Sequence, residues 1–92
     1  MMYITDEILR AAIERMPPTF DSHGFLQELM TIEPHAYVKE LASKLHTKDP
    51  ILQTHADIAS RLLKFPNIEK TSKVPSDNVR GRPTLNQEWR KK

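Results

Sequence analysis

The chain contains no cysteine, so neither a disulfide framework nor a thiolate zinc site supplies its stability. Only two glycines occur, Gly24 and Gly81. Phosphate-cradling loops need several glycines close together, so a nucleotide-binding loop is not expected. No apolar run approaches the ~20 residues that span a bilayer. Met1-Met2-Tyr3-Ile4 lacks the basic and apolar regions of a secretion signal. These absences predict an intracellular protein, cytoplasmic or nucleoid-associated, with no membrane partner. Ninety-two residues fit one domain, near the lower end of what folds unaided. We expect a helical core over 5–66 and a basic hairpin and tail over 67–92.

Charge is present but unevenly spread. Residues 1–60 hold five Lys/Arg against nine Asp/Glu, a net of −4; residues 61–92 hold nine against three, a net of +6. The sum, +2, conceals this split. A basic segment on an otherwise acidic domain is the electrostatic footprint of a nucleic-acid binder. It also fits docking on an acidic protein.

Four helices are legible. Thr5 caps the first, Asp6 and Glu7 sit at its positive end, and Pro17-Pro18 stops it. Ile8, Leu9, Ala12, Ile13 and Met16 share one face. Asp21 caps a second helix over 22–31, with Phe20 and Phe25 placed as a hydrophobic staple. Pro34 opens a third over 34–46, with Tyr37, Val38, Leu41, Ala42 and Leu45 inward and Lys39, Glu40, Ser43 and Lys44 outward. Asp49 and Pro50 open a fourth over 50–65, about four residues later, a helix-turn-helix spacing. Its apolar side reads Ile51, Leu52, His55, Ile58, Ala59, Leu62 and Leu63.

After Pro66 the period falls to two. Ile68–Val74 and Leu85–Arg90 read as strands around the turn-rich stretch 75–84. Trp89 is expected to close this hairpin onto the helices. His23, His35, His46 and His55 share no helical turn, so no metal site is expected. No relay of nucleophile and base is assembled, and Ser22, His23 and Asp21 are adjacent residues pointing apart. The expectation is a non-enzyme without cofactor, metal or small-molecule ligand.

Three or four helices followed by a two-stranded hairpin resemble the winged helix-turn-helix family of DNA-binding domains, over roughly residues 20–92. The resemblance implies a mainly α fold, four helices plus a wing, that binds double-stranded DNA as a small regulator. It places the fourth helix in the major groove and the wing on backbone or minor groove. Gln53 then suits adenine and Arg61 guanine, while Thr54 and Lys64 suit phosphate; Asp57 sits poorly there. Lys73 and Arg90 extend the contact along the hairpin. Arg80-Gly81-Arg82-Pro83 is similar to the core of the AT-hook, which lies in the narrow minor groove of A·T-rich DNA. Glycine lets the backbone approach the groove floor, and arginines enter its negative potential. Val79 stands where that motif usually carries proline. The alternative is an interaction adaptor or homodimer that docks an acidic partner without nucleic acid.

Overall fold

In a computed structural model the backbone is described for residues 3–77 and 83–92, and side chains for 3–75 and 86–92. The described elements are helices α1 (Asp6–Arg15), α2 (Ser22–Ile32), α3 (Pro34–Ala42) and α4 (Pro50–Leu62), and strands β1 (Thr19–Asp21), β2 (Ile68–Asp77) and β3 (Pro83–Lys91). The three strands form one antiparallel sheet in the order β1-β3-β2.

Three of the four helices start at a side-chain cap, while α3 opens on Pro34 without one. Thr5 Oγ1 accepts from the Ile8 N–H at 3.2 Å, Asp21 Oδ1 from Gly24 at 2.7 Å, and Asp49 Oδ1 from Leu52 at 3.2 Å. Each bond satisfies a first-turn N–H that the helix itself leaves unpaired. Gly24 belongs to the same device. A Cβ there would lie 3.1 Å from Asp21 Oδ1, so any larger residue would push against the capping carboxylate.

The core gathers Ile4, Leu9, Ile13, Phe25, Leu29, Ile58, Leu62 and Trp89, all nearly sealed from solvent. Phe20 and Phe25 stack with ring centroids 6.1 Å apart, as a staple requires. Trp89 closes the hairpin onto this core. It lies directly across from Phe20 in β1 and donates its indole N–H to Ser22 Oγ at 2.9 Å.

Three expectations are corrected. β1 is a third strand that periodicity could not reveal, because three residues carry no readable alternation. α3 ends at Ala42, and residues 43–49 separate it from α4, so the connection is longer than four residues. The inward faces of α3 and α4 are also turned. Glu40 is buried, its Oε1 accepting the Tyr3 and Ile4 N–H groups at 3.0 and 3.1 Å, while Val38 and Leu45 point outward. The N–H groups of Tyr3 and Ile4 belong to no helix or strand and need acceptors, and α3 supplies one by turning a carboxylate inward.

Candidate nucleic-acid interface

The hairpin is held firmly at its base. Register runs from Ile68 opposite Lys91 to Asp77 opposite Pro83, with a shift between Lys70 and Lys73 that puts two β2 residues against Glu88. Such a bulge increases local twist. The Lys91 N–H donates to the Pro18 carbonyl at 2.8 Å, and the Lys92 N–H to the Asn67 carbonyl at 2.9 Å. Lys91 Nζ is held by the Met16 carbonyl at 2.6 Å. Ten residues of β2 rising ~3.3 Å each carry the far end about 30 Å from this anchor.

The cations differ in whether an acid engages them. Arg90 is committed to Glu69, with Nε 3.0 Å from Oε1. The Arg90 guanidinium thereby holds the Glu69 carboxyl below the usual carboxylate range. Lys64, Lys70, Lys73 and Lys92 are exposed and form no ion pair among the described residues. Arg80, Gly81 and Arg82 lie outside the described residues.

On α4 the expected contact set breaks up. Gln53 is exposed, but its amide donates to Asp57 Oδ1 at 3.0 Å. Asp57 in turn pairs with Lys44 at 3.0 Å, which accounts for an acid on this side of the helix. Lys64 remains exposed just beyond the helix.

Thr54 and Arg61 face inward, contrary to expectation. Thr54 is fully buried, and Arg61 is 6% exposed. Arg61 Nη1 donates to the Ile4 carbonyl at 2.6 Å and Nη2 to Asp6 Oδ1 at 2.9 Å. The buried stripe of α4 is Thr54, Ile58, Arg61 and Leu62. It is turned by roughly one residue step (~100°) from the arc with the most aliphatic residues. Leu52 and Leu63 consequently point to solvent, 65% and 57% exposed. His55 is half-buried rather than core, its Nε2 2.6 Å from the Tyr37 hydroxyl.

The Arg61 contact has a consequence in acid. Its hydrogen bond, reinforced by the charges of Arg61, Lys64 and Arg10, holds the Asp6 carboxyl below the ordinary value. A depressed carboxylate adds stability above its unfolded pKa, and that contribution is lost as pH falls through the folded value. We expect the urea midpoint to fall as the pH drops below the ordinary aspartate value of 3.8, and Asp6→Asn to flatten that acid limb.

No helix among the described residues is long and apolar enough to cross a membrane. Compared with protein families, curated proteins and solved structures, the chain matches none.

Proposed function

We propose that the chain is a small double-stranded-DNA-binding protein or regulator that engages the duplex through its C-terminal hairpin rather than through α4. The observation that carries this reading is the hairpin itself. It is a long two-stranded ladder fastened to the core at one end by Trp89, with Lys70 and Lys73 exposed along β2. The sequence adds Arg80 and Arg82 between the strands. Phosphate contacts supply most non-specific affinity, and an anchored cationic ribbon presents them without ordering a flexible tail. The winged-helix resemblance agrees in the order of elements, helices first and hairpin last.

α4 supports a DNA contact poorly. Of its four expected contact residues, two are buried and Gln53 is engaged by Asp57. The test is fluorescence anisotropy on a labelled duplex across a salt series. Four hairpin contacts predict a log–log salt slope of about −3.6 or steeper. A chain that ignores duplex at low salt would refute the reading.

A second reading, an interaction adaptor or homodimer, is favoured by one observation. Val38, Leu45, Leu52 and Leu63 are each more than half exposed.

A further inference from the structure

The outward face of α4 carries Leu52, Ala56, Ala59 and Leu63 at spacings of four, three and four residues. That is the seam spacing by which one helix packs along another. Both leucines are more than half exposed, Ala56 is exposed and Ala59 half-buried. Single exposed leucines are ordinary, but four apolar residues in register on one stripe are not.

We infer that this seam is covered by a second copy of the same chain, with the two α4 helices antiparallel. The seam reads large, small, small, large in either direction. A two-fold axis between residues 57 and 58 sets Leu52 opposite Leu63 of the second copy, and Ala56 opposite Ala59. Small residues at the centre let the helix axes approach to the close end of the usual range, ~8 Å. One patch then complements itself, as an isologous interface requires.

Charge selects the direction. Asp49 caps the N-terminal end of α4, and Lys64 lies just past its C-terminal end. Antiparallel pairing brings Lys64 of each copy towards the adjacent Lys48 and Asp49 of the other, an end with no net charge, and opposes the two helix dipoles favourably. Parallel pairing would set Lys64 against Lys64 and align the dipoles. The four seam residues are apolar, with Lys48 beside Leu52 at one end and Lys64 next to Leu63 at the other. Neither strand of the hairpin takes part, so this interface is independent of the DNA reading.

Because the chain lacks cysteine, single-cysteine variants give a clean test. Leu52→Cys and Leu63→Cys are purified separately, then oxidised alone and as an equal mixture. Antiparallel register brings positions 52 and 63 within disulfide reach but holds two copies of position 52 about 16 Å apart along the axis. The mixture should therefore yield at least about tenfold more disulfide-linked dimer than either variant alone. Ala56→Glu, read by sedimentation velocity, should weaken self-association at least about tenfold by burying a charge at the centre. Efficient linking of each variant to itself would overturn the antiparallel register. A wild-type chain that stays monomeric near ~1 mM, or that pairs on this face only with a different protein, would overturn the inference. Duplex binding by the hairpin would survive either failure.

Discussion

Trp89→Ala is expected to remove about 3–5 kcal/mol of folding stability. A domain of this size holds only about 5–14 kcal/mol in total, so the variant should sit near its unfolding threshold. The indole ties together three parts of the chain. Its ring is 2% exposed within the core and lies opposite Phe20, so it binds β3 to β1. Its N–H bonds Ser22 Oγ at the start of α2, and that hydroxyl donates to the Gln87 carbonyl at 3.3 Å. Urea denaturation followed by circular dichroism should show the midpoint fall by about 1.5 M or more, given a slope of about 1–2 kcal/mol per M. Trp89→Phe retains most of the packing but leaves Ser22 without its donor, and should cost about 1–2 kcal/mol. Equal losses in the two variants would mean that the hydrogen bond, not the ring, holds the hairpin.

The second large effect concerns Arg61. An arginine on a solvent-facing helix surface changes stability by about 0.5 kcal/mol or less when truncated. Arg61→Ala should instead cost about 2–4 kcal/mol, because a buried carbonyl at Ile4 loses a charged donor and the aliphatic stem leaves a gap. Asp6 is largely exposed and can rehydrate, which keeps the loss below that of a fully sealed ion pair. Arg61→Lys should rescue little, since an ammonium does not reproduce a fork that holds two acceptors from one plane. The same urea titration gives the answer, and a near-neutral result for Arg61→Ala would return this residue to the surface.

Local signals in the sequence located the helices well. Thr5, Asp21 and Asp49 announced three caps that the structure contains, and Pro34 and Pro50 marked two first helical positions. Capping and proline geometry act over three or four residues, so nothing distant can overrule them. Facing is different. The rotation of α4 about its own axis depends on what packs against it, and its partner is the segment around Ile4 and Asp6, more than fifty residues away. Counting apolar residues favoured the arc holding Leu52 and Leu63, whereas the Ile4 carbonyl draws Arg61 inward. Glu40 reads as outward for the same reason, because a carboxylate serving two backbone N–H groups carries no mark in its own helix. Among the described residues β1 pairs with β3 alone, a partner some seventy residues later. Of the expected contact residues, Lys64 and Lys73 remain exposed, Arg90 is taken up by Glu69, and Thr54 and Arg61 serve the interior.

Duplex affinity measured side by side for two variants bears most directly on which surface meets DNA. One variant carries Lys70→Ala, Lys73→Ala, Arg80→Ala and Arg82→Ala; the other carries Gln53→Ala and Lys64→Ala. A hairpin interface requires the first to lower the log–log salt slope by about 3–4 and the second to change it by no more than about 1. The opposite ranking, with the helix variant losing the steeper slope and the hairpin variant unaltered, would contradict the account.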